Sequence, residues 1–195
     1  MYTITKVYTF TQEIKKSIFI SYLAPINSIE EATSFLEKIK KDHPLATHHC
    51  YSYILGESAN VYKYSDDGEP SQTAGIVIFD VLRKNNLTNV ICVVVRYFGG
   101  IKLGAGGLVR AYSSSTGGVV ALGEVVKIIR YVNIKLTFAY QYTNVIQKLL
   151  NDYEVINKTY LDHVEFIYKV PESIISELKL KLIDITKNNI KIEVY

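Results

Sequence analysis

Apolar and polar positions divide the chain into segments with different periods. Thr3 to Phe10 and Ser17 to Ala24, rich in β-branched and aromatic residues, read as strands separated by a charged turn. Ser28 and Glu31 stand at capping-box spacing, and Ile29, Ala32, Phe35, Leu36 and Ile39 form one stripe of a first helix. Lys40 and Lys41 suit its C-terminal end, and Pro44 prevents continuation. The Tyr-rich segments His49–Leu55 and Asn60–Ser65 bracket Gly56 and predict a hairpin. From Ser71, the positions Ala74, Val77, Ile78, Val81 and Leu82 recur at helical spacing, although their β-branched content also fits a strand. Val90–Val95 is a continuous apolar run, as expected of a central strand covered on both faces. A glycine-rich loop follows. A helix is predicted from Ala105 to Leu122, marked by Leu108, Ala111, Tyr112, Ser115 and Val119.

A second unit begins near Val125–Arg130. Tyr131–Ala139 reads as a strand, Asn144–Leu150 as a short helix, and Glu154–Thr159 and His163–Val170 as strands. Pro171–Thr186 reads as a helix with proline near its start, and Ile190–Tyr195 as a final strand. The order βαββαβ is that of a ferredoxin-like domain. This unit has no glycine and no cluster of catalytic residue types, so it reads as scaffold or interaction surface. The boundary is placed at 128/129, and the fold class expected is α+β.

Charge narrows the picture only slightly. The net charge of +3 falls short of the bias expected of a protein living on bare duplex DNA. Residues 1–129 carry 13 Lys+Arg against 11 Asp+Glu, and residues 130–195 carry 9 against 8, so any basic patch must arise from clustering in space. Cys50 and Cys92 are too few for a disulfide framework or a cysteine-based zinc site and read as reduced cytosolic thiols. The N-terminus lacks a signal pattern and the longest apolar run is far short of a membrane span, so a cytoplasmic protein with no membrane partner is expected.

The segment Arg96-Tyr-Phe-Gly-Gly-Ile-Lys-Leu-Gly-Ala-Gly-Gly-Leu-Val-Arg-Ala-Tyr112 carries the strongest chemistry. A buried strand ends, five glycines (Gly99, Gly100, Gly104, Gly106 and Gly107) occur within nine residues, and a helix starts. Glycine lets a ligand approach the backbone, and a helix N-terminus offers free N–H donors to an anion. Arg96, Lys102 and Arg110 add full charges. No named nucleotide motif fits: the residues after Lys102 break the mononucleotide pattern, and the third glycine of the dinucleotide fingerprint is missing. The alternative is that the glycines serve only a tight turn and close helix–sheet packing.

Asp66, Asp67 and Glu69 form an acidic loop beside His48 and His49. Carboxylates and imidazoles together can hold a metal or move protons, but the loop lacks calcium-loop spacing. Adjacent histidines on a strand face opposite ways, and no Ser or Cys nucleophile has a readable base partner. Turn formation and ion pairing with Arg96 or Arg110 is the simpler reading; no metal and no cofactor are expected. Tyr51, Tyr53, Tyr62 and Tyr64 read as core, or as a stacking platform for RNA bases if exposed.

Three blocks in this order resemble the YigZ/IMPACT family. They are Ala46-Thr-His-His-Cys-Tyr-Ser-Tyr53, Ser65-Asp-Asp-Gly-Glu-Pro-Ser71 with Thr73-Ala-Gly75, and the long block from Val94 to Tyr112; Lys16-Ser17 and Phe19-Ile20 add a weaker match. The resemblance covers roughly residues 15–122. It implies an N-terminal domain with the α/β fold of ribosomal protein S-five's second domain, followed by an elongation-factor-like ferredoxin module. It also implies nucleic-acid or ribosome-associated roles, the eukaryotic relative IMPACT being a translational regulator that works through a partner protein. The chain departs from the family pattern at Ile18, where Arg is common, at Gln72, where Gly is usual, and at Val77, where Pro usually follows.

The leading expectation is therefore a binding protein for RNA or a ribosome-associated target. Arg96, Lys102 and Arg110 would contact phosphate, the Gly99–Gly107 loop would supply backbone donors, and Asp66, Asp67 and Glu69 would orient the basic side chains. An enzyme or binding protein for a phosphorylated small molecule, using His48 or Asp67, and a protein-interaction module are the alternatives.

Overall fold

The computed structural model describes all 195 residues, which divide into two compact units, Met1–Ile128 and Ile129–Tyr195. The first unit contains β1 (Tyr2–Ile4), β2 (Tyr8–Ile14), β3 (Ser17–Pro25), α1 (Ile29–Asp42), β4 (His48–Leu55) and β5 (Val61–Ser65). It continues with α2 (Gly75–Lys84), β6 (Val90–Tyr97), α3 (Ala105–Leu122) and β7 (Val125–Lys127). Five strands form an antiparallel sheet in the order β2-β3-β6-β4-β5. The central strand is β6, whose residues Val90–Val95 are wholly buried. Its alternate residues feed two cores. Val90, Cys92 and Val94 pack with α2 and α3, while Ile91, Val93 and Val95 pack with α1.

The helices follow from their local chemistry. Ser28 Oγ accepts the Glu31 N–H at 3.2 Å, and the Glu31 carboxylate reaches back to the Asn27 N–H at 2.8 Å. This is a capping box displaced by one residue. Ala32 and Ile39 are buried as the stripe requires, but Ile29, in the first turn, is exposed. The segment after Ser71 is helical. Ala74, Ile78 and Leu82 sink fully into the core, and α2 gains an end cap from a distant residue described below.

The N-terminal strand predicted from Thr3 to Phe10 is two strands. Tyr2–Ile4 pairs with Val125–Lys127, so these last residues belong to the first unit, and Tyr8–Ile14 pairs with β3. The β-branched and aromatic content continues across the break, which is why the segment reads as one strand. The turn between β2 and β3 shortens to Lys15-Lys16, both at positive φ, the geometry of a two-residue hairpin loop.

The second unit contains β8 (Tyr131–Phe138), α4 (Thr143–Leu149), β9 (Glu154–Tyr160), β10 (Val164–Pro171), α5 (Ile175–Thr186) and β11 (Ile190–Val194). Its sheet order, β11-β8-β10-β9, all antiparallel, is ferredoxin-like. Pro171 ends β10 instead of opening the helix. A single 3-10 turn, Glu172–Ile174, intervenes before α5.

The three departures from the family pattern have distinct settings. Ile18 is exposed on β3 and Val77 packs against the α2–α3 core, whereas Gln72 adopts a left-handed backbone with φ +63°. That conformation costs a non-glycine residue about 1 kcal/mol or more. Gln72→Gly is accordingly expected to stabilise the protein by about 0.5–1 kcal/mol, seen as a higher urea midpoint with an unchanged slope. A lower midpoint would show that the Gln side chain supplies a compensating contact.

Candidate functional site

The antiparallel register places Phe19 of β3, Arg96 of β6 and His48 of β4 side by side on the sheet face that α2 and α3 cover. The guanidinium of Arg96 lies over the Phe19 ring, 5.4 Å from its centre, and as close to the ring of Phe98. Its side chain is only 6% exposed. A cation so buried needs a counter-charge, and Glu69 supplies it: Arg96 Nη1 donates to Glu69 Oε1 at 2.6 Å. Tyr112, fully buried on α3, donates its hydroxyl to the same oxygen at 2.8 Å. Arg96 Nη2 donates to Ser17 Oγ at 3.3 Å, and that oxygen also accepts the Gly99 N–H. Arg96 Nε is buried without a partner.

The acidic loop is built by its own hydrogen bonds. The Glu69 N–H returns to the Asp66 carbonyl at 2.9 Å, with Asp67 and Gly68 both at positive φ. Asp66 turns away from the bases: its carboxylate accepts the N–H groups of Gln72, Ala74 and Gly75 at 2.9, 3.0 and 2.8 Å, capping α2 from outside the helix. Asp67 accepts the His49 N–H at 2.6 Å and lies 3.5 Å from Lys40. Its carbonyl accepts from His48 Nδ1 at 2.8 Å, which leaves His48 Nε2 facing Glu69 Oε2 at 3.9 Å. His49 points to the opposite face, toward the His43 carbonyl.

The glycine loop after β6 relies on Gly99 for a close approach and on Gly100 and Gly104 for positive φ. Gly99 presses its backbone against the Lys16 carbonyl so closely that any Cβ would collide with it. Gly104, at φ +70°, precedes α3 and provides no side-chain cap. The first intrahelical bond recorded from this end is Leu108 N–H to the Gly104 carbonyl, so the amides of Ala105, Gly106 and Gly107 are the helix's unpaired donors. They open beside a cleft of about 440 Å³ lined by His48, Glu69, Arg96, Phe98, Lys102 and Leu103 among others. Leu103 also lines a neighbouring cleft containing Lys15, Gly107 and Arg110, where the Arg110 guanidinium folds back toward Gly106.

The residues anticipated from sequence thus separate into three groups. Lys102 and Arg110 are exposed around the α3 end, together with Gly100, Gly104 and Gly106; His48 and Glu69 meet in the cleft. Arg96 is not available to a phosphate, because its charge is neutralised by Glu69 and its surface is covered. Asp66 and Asp67 do not orient Arg96, Lys102 or Arg110; they are consumed by α2, His49 and Lys40. The tyrosines do not form one platform. Tyr51 and Tyr53 pack toward α1, whereas Tyr62 and Tyr64 are exposed on the other face against Phe79 of α2. Lys15 is not among the residues anticipated, and Tyr112 is anticipated only as the end of the glycine-rich segment. Helical spacing places Tyr112 on the packed face of α3 without revealing its hydrogen bond to Glu69, and Lys15 reaches the site through strand pairing that no local pattern announces.

Burial raises the pKa of Tyr112, assisted by Cys50 and Glu69, and of Cys50. It also pushes Cys92 up to about 12. The unfolded chain therefore releases these protons first as pH rises. Their contribution to stability is intact below about pH 8.5, the pKa of an unperturbed thiol, and shrinks above it. Urea midpoints measured from neutral to alkaline pH are expected to fall, while the native thiols resist alkylation; a flat profile would contradict this burial. Removing one member of the buried pair is expected to cost about 3–5 kcal/mol in Arg96→Met or Glu69→Leu alone. The joint change to Arg96→Met and Glu69→Leu should recover much of that loss, and additivity in this cycle would show that the pair is not coupled.

The Impact N-terminal domain family matches residues 15–120, which include every residue of the cleft. The chain is 43% identical over 163 residues to the IMPACT family member YvyE of Bacillus subtilis, covering 82% of this chain and 74% of that one. It is 33% identical over 188 residues to the IMPACT family member YigZ of Escherichia coli, covering 94% and 92%. A crystal structure of a hypothetical protein superimposes with a TM-score of 0.65 at 31% identity, over 98% of this chain and 95% of the other. With the matched domain spanning more than half its length, this chain belongs to the IMPACT family.

Proposed function

We propose that the first unit binds RNA, alone or within a ribosome-associated target, and acts on translation in the cytoplasm. The observation that carries this reading is the uncapped end of α3, whose free amides are surrounded by exposed Lys102, Arg110 and Lys15. Unpaired helix amides and nearby cations suit phosphate oxygens, and neither feature depends on sequence-specific base contacts. Phe98, exposed beside Lys102, offers a face on which an unpaired base can stack. The modest net charge fits a local contact with single-stranded or structured RNA better than a track along a duplex. Membership of a family whose eukaryotic namesake regulates translation supports the setting. No helix is long and apolar enough to cross a membrane.

The test is anisotropy of a labelled single-stranded RNA across a salt series. Affinity is expected to fall with salt, with Lys102→Ala and Arg110→Ala each flattening the log–log slope by about 0.7. Arg96→Lys, which keeps the buried charge, should leave the slope unchanged. Absence of binding at low salt, or slopes insensitive to Lys102 and Arg110, would refute the proposal.

A further inference from the structure

The hydrogen-bond inventory of the His48–Glu69 cleft is lopsided. Arg96 and Tyr112 both donate to Glu69 Oε1. Oε2 receives no hydrogen bond, although the Glu69 side chain is only 3% exposed and lines the cleft. A carbonyl can only accept, so His48 Nδ1 carries the hydrogen that goes to Asp67, and the tautomer this bond selects presents its lone pair at Nε2. At 3.9 Å, Nε2 and Oε2 are too far apart to satisfy one another. Two adjacent acceptors at the wall of a cleft call for a ligand with two adjacent donors.

The same cleft is lined by Lys102 and by Gly104 and Ala105 at the α3 end, a setting for an anion. A ligand matching both regions carries a phosphate and, a few bonds away, a pair of neighbouring hydroxyls. This is the 5′-phosphoribosyl unit with its 2′,3′-diol free. In RNA only the 3′-terminal residue keeps both hydroxyls, because every internal 3′ oxygen is esterified. A volume of about 440 Å³ is within the usual range for a small-ligand site, and Phe98 lines the cleft where a base can stack.

We propose that this cleft holds the 3′-terminal ribonucleotide of an RNA, with Glu69 Oε2 and His48 Nε2 accepting from the terminal diol and Lys102 and the α3 amides receiving its phosphate. The proposal rests on the RNA reading above and adds a terminus-specific anchor to it. A free ribonucleoside 5′-monophosphate presents the same chemistry.

The experiment uses the full chain and one short single-stranded RNA in two forms, ending in an ordinary diol or in a 2′,3′-dideoxy residue. The diol form is expected to bind about tenfold more tightly, as for the loss of hydrogen bonds to a charged acceptor. In Glu69→Gln and His48→Ala this preference should collapse, so that each variant binds the diol and dideoxy RNAs equally. Should Glu69→Gln fail to fold, His48→Ala carries the test, since His48 is partly exposed at the rim. Competition by adenosine 5′-monophosphate, against its dideoxy analogue, separates the sources. Competition as effective as the RNA itself identifies a free nucleotide as occupant and overturns the chain-terminus assignment, whereas much weaker competition supports it. Equal binding of the two RNAs, or a preference untouched by both substitutions, overturns the diol site and leaves the phosphate surface standing. Binding of neither RNA overturns both.

Discussion

The contact between Arg96 and Glu69 holds one end of the first unit together. It joins the tip of the central strand to the acidic loop, and through Tyr112 it adds α3, so three segments distant in sequence meet on one carboxylate oxygen. Such a pair gives little net stability over a well-packed apolar substitute, because both charges must leave water. What it gives is position. The direction of Glu69 is determined by two donors on Oε1, and Oε2 is thereby turned toward His48 and the cleft.

Around this pair the polar groups divide between support and exposure. Asp66 is spent on the first amides of α2, and Asp67 on His49, Lys40 and the orientation of the His48 ring. The α3 end has no comparable guest. Two helices on the same sheet face therefore begin in opposite ways, one with a carboxylate already in place and one with its donors free. That contrast argues that the open end is available for a ligand, since a capping carboxylate is the usual solution to the same problem.

Much of the fold could be read from the chain. The buried run Val90–Val95, the Ser28 cap and the spacing of Leu108, Ala111, Tyr112, Ser115 and Val119 each express a local period, and local periods survive in one dimension. The segment around the site was also legible, because clustered glycines and bases are a compositional signal. Their division of labour was not. Whether Arg96 or Lys102 faces solvent depends on one residue lying on a covered strand and the other in a loop beyond it. Asp66 and Glu69, three residues apart, look alike in sequence, yet a turn with two positive-φ residues sends them to different elements. Lys15 was missed for a related reason: its neighbourhood is created by the pairing of β3 with β6, a long-range contact.

The seat of Gly99 against the Lys16 carbonyl also limits how this protein can vary. The two-residue turn at Lys15-Lys16 is tight, and both flanking strands are held in register, β3 by β6 on its inner side. An added residue in the turn would lift the carbonyl off Gly99 and shift Ser17, which anchors both that glycine and Arg96. Drift at this corner is therefore confined to exchange of side chains at constant length. The lysines can change, and with them the charge of the rim, within the residues that tolerate positive φ, while the spacing of the hairpin cannot.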